Sequence, residues 1–334
     1  MKKILLITTG GTIASVPSER GLRPGLSSMA LLELLNIELQ NIHLDALNLF
    51  DIDSTDISPD HWLQITKTIL NQYDRYDGFV ITHGTDTLAY TASAISYLIQ
   101  FSPKPIVLTG SQKSIRMDIT DAKTNLLDSI YYAAYREARD TSVVFNGKVI
   151  AGTRAKKVRS KSFDAFSSLN YPPLGLVMDH RIADFIENRG PLPPMEVYNE
   201  LDESVFLLKL IPGLDRHLIK YIFEHYKCII IESFGVGGIP ITLFEELQKY
   251  ITEDKIVIIT TQVLEEGSDL NVYEVGKRVA DHPNIIEALD MTTESIVTKS
   301  MWALAESKGD RHRFKSLFYK KINFDLLKIQ LGGQ

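Results

Sequence analysis

The chain of 334 residues holds a single cysteine. That excludes an intramolecular disulfide framework and any zinc or iron–sulfur site built on several cysteines, and it fits a reducing compartment. Long apolar runs are also missing. The longest uncharged stretch, Thr87–Pro103, contains Thr, Ser, Tyr and Gln, and it falls short of the roughly 20 apolar residues of a spanning helix. Met1-Lys2-Lys3 followed by Ile4-Leu5-Leu6-Ile7 imitates an export signal, but the run stops at Thr8-Thr9-Gly10-Gly11, too soon for a signal core. A cytoplasmic protein without a membrane segment is expected. Positive charge is in deficit, with 36 basic against 42 acidic side chains and a net charge of −6. Such a chain offers no general attraction to phosphate backbones, so no nucleic-acid partner is expected. The motifs of dinucleotide sites, phosphate loops, serine-hydrolase elbows and zinc proteases are all absent. The eight histidines show no paired spacing, so neither a metal nor another cofactor is expected.

What is present is globular material, 44% hydrophobic and 23% charged, long enough for about two domains. Ile4–Thr8, Gly78–Thr82 and Ile106–Thr109 read as buried strands. Met29–Leu35 (with Ser27 and Ser28 as caps), Ser58-Pro59 to about Tyr73, Asp86–Ile99 and Thr120–Arg136 read as helices. Continuous apolar strands separated by such helices indicate a parallel sheet covered on both faces. Asn146-Gly147 between β-rich runs in Ser142–Thr153 signals a hairpin. The polar stretch Ala183–Glu203, with Gly190-Pro191-Leu192-Pro193-Pro194, reads as an interdomain connection. Beyond it, Val205–Leu210, Ile229–Ile231 and Ile256–Thr260 read as strands. Leu214–Tyr226, Leu243–Thr252, Tyr273–Ala280 and Glu294–Glu306 read as helices. The expected fold is α/β: a larger, mostly parallel-sheet N-terminal domain over 1–185, with flanking helices and a β-hairpin. A linker over 186–204 leads to a smaller α/β domain over 205–334.

In parallel sheets, ligands bind beyond the carboxyl ends of the strands. The first strand is followed by Thr8-Thr9-Gly10-Gly11-Thr12-Ile13-Ala14-Ser15. Its glycines let backbone approach a ligand, and Thr12 offers a hydroxyl; a plain polar strand exit is the alternative. Gly78–Thr82 runs into His83-Gly84-Thr85-Asp86-Thr87. Thr85 or Asp86 either caps the next helix or lines a pocket whose helix dipole favours negative charge. Phe50–Asp56, with Asp53, Ser54 and Thr55, reads as a turn ahead of the Pro59 helix or as a carboxylate cradle. Arg154, Lys156, Lys157, Arg159 and Lys161 form a cationic run whose default reading is a solvated face. A partly buried lysine there can accept protons. Cys228 opens the apolar run Cys228–Ile231 and reads as a core residue rather than a nucleophile. A weak hydroxyl nucleophile needs a base and an oxyanion site, and Thr12, Thr85, Asp86 and Lys157 together offer the side chains for such a device.

With Thr9-Gly10-Gly11-Thr12-Ile13-Ala14 and His83-Gly84-Thr85-Asp86-Thr87 in this order, the sequence resembles the bacterial-type L-asparaginases, most of all their cytoplasmic type I branch. Asp53-Ser54-Thr55-Asp56, Thr109-Gly110-Ser111-Gln112, the lysines before Phe163-Asp164-Ala165-Phe166, and Glu232-Ser233-Phe234-Gly235-Val236-Gly237-Gly238 support the likeness, which covers almost the whole chain. The resemblance implies hydrolysis of L-asparagine to L-aspartate and ammonia through an acyl-enzyme. Thr12 matches the nucleophile, and Thr85 and Lys157 a proton-handling pair. Asp86 matches the group that holds the substrate α-ammonium. Ser54, with Asp53 and Thr55, matches the segment that holds the α-carboxylate. Lys157 is placed by counting back from Phe163, with Lys156 as the alternative. A homodimer or homotetramer is implied, with no cofactor or metal. One departure stands out: Leu22, within Gly21-Leu22-Arg23-Pro24-Gly25, occupies the place of a loop tyrosine and cannot relay a proton. The glycines of that loop would still permit a lid to move. Two other readings stay open. One is the amidase subunit of a tRNA-dependent amidotransferase, which carries an extra domain before the first motif, whereas this chain reaches Thr12 almost at once. The other is a non-catalytic amino-acid-binding protein on the same scaffold, against which the intact Thr12, Thr85, Asp86 and Lys157 argue.

Overall fold

Ile4, Leu5, Leu6 and Ile7 are at most 2% exposed. A strand apolar on both sides must be covered on both sides, and strand β1 (Lys2–Gly10) accordingly lies inside a sheet rather than at its rim. The structure, a computed structural model, describes residues 1–18, 21–26, 28–35, 39, 41–186, 190–252, 254–272, 277, 282 and 284–327; the side chains of 16–18 and 21–24 are not described. It divides into two compact units, Met1–Asn199 and Glu200–Gln334.

In the first unit, β1 is followed by the hairpin strands β2 (Ser15–Ser18) and β3 (Gly21–Pro24), helix α1 (Ser28–Leu35) and strand β4 (Ile42–Ile52). Then come α2 (Pro59–Gln72), β5 (Gly78–Thr82), α3 (Leu88–Leu98), β6 (Ile99–Gln100), β7 (Ile106–Thr109), α4 (Ala122–Ala133), β8 (Thr141–Phe145) and β9 (Lys148–Ala151). A separate ribbon pairs β10 (Ala155–Lys157) with β11 (Phe166–Ser168). Strands β12 (Gly175–Met178) and β13 (Arg181–Asp184) complete the main sheet, whose order is β13-β12-β9-β8-β7-β5-β1-β4. Its β4-β1-β5-β7-β8 stretch is parallel, and β9, β12 and β13 extend it antiparallel.

Local chemistry explains most of these bounds. Ser58 stands before α2 in extended backbone with Pro59 at the first turn, and the Ser58 N–H donates to His61 Nδ1 at 3.0 Å. Asn146 and Gly147 take φ of 49° and 72° in the β8–β9 hairpin, the left-handed pair that a two-residue turn requires. The β12–β13 turn uses the same geometry at Asp179 and His180, φ 53° and 62°, without any glycine. Of the expected caps of α1, Ser27 lies outside the described residues.

The stretch read as the connection contains structure. Ala183 and Asp184 belong to β13, and β14 (Glu196–Val197) pairs antiparallel with β6. The second unit is a four-stranded parallel sheet in the order β15 (Val205–Lys209), β16 (Cys228–Ser233), β17 (Ile256–Thr261), β18 (Ile285–Glu287). Its described helices include α5 (His217–His225), α6 (Ile241–Gln248), α7 (Thr293–Ser307) and α8 (Arg311–Tyr319). The helix expected over Tyr273–Ala280 falls outside the described residues except at Lys277. Both units are therefore α/β, the first with a large mostly parallel sheet and the second with a smaller parallel one. Among the described residues no helix is long and apolar enough to cross a membrane.

Candidate active site

Parallel register sets the floor of the site. Thr8 of β1 lies opposite Thr82 of β5, and Thr82 opposite Thr109 of β7, so β5 and β7 end on one row and β1 runs two residues past it. Beyond that row the connecting backbones crowd together, and glycine is what allows it. A Cβ on Gly10 would come within 2.4 Å of Ile52 O, and one on Gly11 within 2.4 Å of Gly84 N. A Cβ on Gly84 would meet Ser54 Oγ at 2.5 Å, and one on Gly110 would meet His83 O at 2.3 Å. The exits of β4, β1, β5 and β7 are thus joined backbone to backbone. Gly10 and Gly11 also take φ of 96° and 78°, which favours glycine independently of space. Thr9 Oγ1 donates to Thr82 O at 2.9 Å, and Gly11 N–H to Ile52 O at 3.1 Å. Half-buried Thr12 stands at the first position of the single turn Thr12–Ala14. The loop side chains at 16–24, Leu22 among them, lie outside the described residues.

At the β5 exit the capping alternative fails. Helix α3 starts only at Leu88, behind Thr87, and neither Thr85 nor Asp86 caps it. Thr87 instead donates its hydroxyl to Ser54 O at 2.7 Å. Lys157 Nζ donates to Thr85 Oγ1 and to Asp86 Oδ1, both at 2.7 Å. The Lys157 side chain is 18% exposed and that of Asp86 60%. The cationic run is therefore not a solvated face throughout. Arg154 is fully buried and Lys157 largely so, because Ala155–Lys157 is a paired strand. Alternation along that strand turns Lys156 to the other face, and it is the Lys157 Nζ that lies on Thr85 and Asp86.

Sequence reasoning gave Gln112 no role. Its Nε2 donates to Ser162 O at 3.1 Å and Arg159 O at 3.4 Å. Carbonyls only accept, so the amide is oriented with Oε1 toward Thr85, which donates to it at 3.3 Å. The single Thr85 proton is thereby committed, and the Thr85 oxygen faces Lys157 as an acceptor. Gln112 is itself held by the Asp121 carboxylate, which accepts from its backbone N–H at 2.9 Å. The ribbon loop is fixed by Asp164, which takes Lys148 at 2.5 Å and Arg159 at 3.0 Å. A hydrogen bond from Lys148 is the main cause that holds the Asp164 carboxyl below its ordinary range.

At the β4 exit, Asp53 Oδ1 accepts from both Thr55 N and Thr55 Oγ1 at 2.9 Å, closing the turn Ser54–Asp56. Asp53 and Thr55 are exposed and serve their own turn, whereas Ser54 is 3% exposed against Gly84. Of the expected residues, then, Ser54, Thr85, Asp86 and Lys157 converge, and Thr12 sits on the loop packed against Gly84. Cys228 is fully buried in β16, and burial pushes its thiol up to about 12, as befits a core residue.

Hydroxyls and a lysine–carboxylate pair at the carboxyl edge of a parallel sheet, on glycine-bent loops, define a class: α/β proteins whose polar groups gather at the strand ends, where such folds take small ligands. Two family models match the chain, "Asparaginase, N-terminal" over residues 3–188 and "Glutaminase/Asparaginase C-terminal domain" over 204–318. The chain belongs to the asparaginase family. It is similar to the L-asparaginase of Thermococcus kodakarensis, 38% identical over 96% of this chain and 98% of that one. A solved structure of the thermostable L-asparaginase from that organism superposes with a TM-score of 0.92, covering 98% of this chain and all of the other at 36% identity. L-asparaginase 1 of Escherichia coli K12 is 32% identical over 91% of this chain and 92% of its own. A glutamyl-tRNA(Gln) amidotransferase subunit of Methanobrevibacter smithii is also 32% identical, over 92% of this chain and 73% of its own length.

Proposed function

We propose that the chain is an L-asparaginase that hydrolyses L-asparagine to L-aspartate and ammonia. The observation that carries this reading is the Lys157–Thr85–Asp86 cluster at the edge where Gly11 packs on Gly84. Asp86 takes the substrate α-ammonium and Ser54 the α-carboxylate, and charge-assisted contacts at both ends select a free amino acid. Thr12 attacks the side-chain carbonyl, and backbone N–H groups stabilise the oxyanion. The Thr85–Gln112 contact is long, so the Thr85 hydroxyl turns to Nζ at little cost once Lys157 has given a proton to water. Thr85 then passes its proton to Lys157 while taking that of Thr12. The proton gathered on Lys157 returns through Thr85 to the amide nitrogen, ammonia leaves, and water then hydrolyses the aspartyl ester, its hydroxide going to the acyl carbon and its other proton to Thr12. The likeness to the type I branch supports a cytoplasmic homo-oligomer, a dimer or a tetramer.

Ammonia release from asparagine and from glutamine, over a concentration series and without tRNA, tests the reading. Turnover of free asparagine that vanishes in Thr12→Ala, with an unchanged melting temperature, is expected. Near-normal turnover in that variant removes Thr12 as nucleophile. Ammonia release that requires a charged tRNA favours the amidotransferase subunit, and binding of asparagine without turnover favours a sensor.

A further inference from the structure

His83 is fully buried at the end of β5 and has no place in the steps above. Its Nδ1 lies 2.7 Å from Gly84 O, and its Nε2 lies 2.9 Å from Thr91 Oγ1 on α3. Thr91 Oγ1 in turn accepts from Trp62 Nε1 on α2 at 2.9 Å. Burial lowers the His83 imidazole to about 4, so the ring is neutral near neutrality, with one nitrogen donating and the other accepting. The partners fix which is which. A carbonyl only accepts, so Nδ1 carries the proton. An indole N–H only donates, so it takes a lone pair of Thr91, and the Thr91 hydroxyl gives its proton to Nε2. Every proton from Trp62 to Gly84 has one direction.

The end of this chain lies where two neighbouring loops crowd the backbone. The Gly84 backbone is pressed against Gly11 on one side and Ser54 on the other. The direction of its carbonyl sets the plane of the Gly84–Thr85 peptide, and through it the places of the Thr85 hydroxyl and the Asp86 carboxylate. We infer that His83 is a positioning residue: its Nδ1–H bond to Gly84 O fixes that peptide plane, and the Trp62–Thr91 pair enforces the required tautomer. The inference rests on the asparaginase reading.

Asparagine and glutamine in place of His83 separate the two ring nitrogens. In His83→Asn the amide nitrogen stands where Nδ1–H was; in His83→Gln it stands where Nε2 was. Each loses one buried contact, so a purely structural role lowers melting temperature and activity alike in both. Positioning predicts that His83→Asn keeps kcat within about threefold, whereas His83→Gln loses about 100-fold in kcat with a smaller change in KM, the scale of a catalytic group displaced by about 1 Å. Equal kcat losses in both variants, or none in either, overturn the inference. Should neither variant fold, nitrogen-15 shifts of the wild-type ring decide: a pyrrole-like Nδ1 with a pyridine-like Nε2 is expected, and the opposite tautomer overturns it. A wild-type chain without asparaginase activity would sink the proposed function while leaving the tautomer measurement to stand or fall by itself.

Discussion

Gly84→Ala gives the sharpest test of the glycine floor. The backbone at Gly84 lies outside the left-handed region, so alanine meets no conformational strain there. Its methyl group does meet Ser54, with Oγ at 2.5 Å and Cβ at 2.6 Å. Ordinary van der Waals contact starts near 3.4 Å, so the pair must separate by about 0.9 Å, and a displacement of about 1 Å at a positioned group costs roughly 100-fold. That corresponds to about 2.7 kcal/mol of transition-state binding. Gly84 is backed by the Gly11 loop and by His83, so Ser54 is the side that yields. Because Ser54 is assigned to the substrate carboxylate, the loss falls in KM more than in kcat. Steady-state ammonia release on wild type, Gly84→Ala, Ser54→Gly and the double variant reads this directly. Removing the Ser54 side chain makes room for the methyl, so the double variant resembles Ser54→Gly alone, a strongly non-additive cycle. A Gly84→Ala enzyme with KM within twofold of wild type refutes the reasoning, as does an additive cycle.

Two further predictions concern stability. The Asp128 carboxyl is 6% exposed, and burial raises it to about 6 against an ordinary 3.8, with the charge of His180 opposing. An acid raised on folding adds nothing below its unfolded value and destabilises once ionised, so the wild type loses stability as pH climbs from about 4 to about 6. Asp128→Asn escapes that loss, and its stability advantage in thermal unfolding grows over the same window to at most about 3 kcal/mol; an advantage independent of pH refutes this. In the second unit, Lys299 and Asp325 pair at 2.5 Å with both side chains fully buried. Lys299→Met strands a buried carboxylate and costs about 3–5 kcal/mol in denaturant unfolding, while Lys299→Met with Asp325→Leu regains most of it. Equal losses in the single and double variants contradict the pairing argument.

What could be read in advance was local. Ile4–Ile7 declares a strand buried on both faces, and Asn146-Gly147 a hairpin, because each depends only on its own residues. Strand β4 mixes His43, Asp45 and Asn48 into a half-buried edge, so it lacks a clean period. The β12–β13 turn hid because Asp179 and His180 take left-handed backbone without a glycine to announce it. Helix α8, Arg-His-Arg-Phe-Lys-Ser-Leu-Phe-Tyr, buries only Phe314 and Phe318 and reads as polar. At the site, Thr85 and Asp86 were legible as chemistry on a strand exit. Choosing between them as caps and as partners of Lys157 needed a contact 71 or 72 residues away. Gln112 was invisible for the same reason, since its orientation is set by carbonyls 47 and 50 residues later.

The common row of Thr8, Thr82 and Thr109 also bears on how the protein folds. Nothing at the site is pre-formed in a short peptide. The exits that carry Thr12, Ser54 and Thr85 come together only when three non-adjacent stretches pair in parallel, and Lys157 arrives on a ribbon outside the main sheet. Such non-local pairing is intrinsically slow, and sliding one strand by a single residue would exchange its two faces and move its exit by about 3.3 Å. Activity should therefore return on refolding as a late and all-or-none event, after helix content has recovered. The chemistry is in this sense a reporter of strand register, which no single helix or hairpin of the chain can supply.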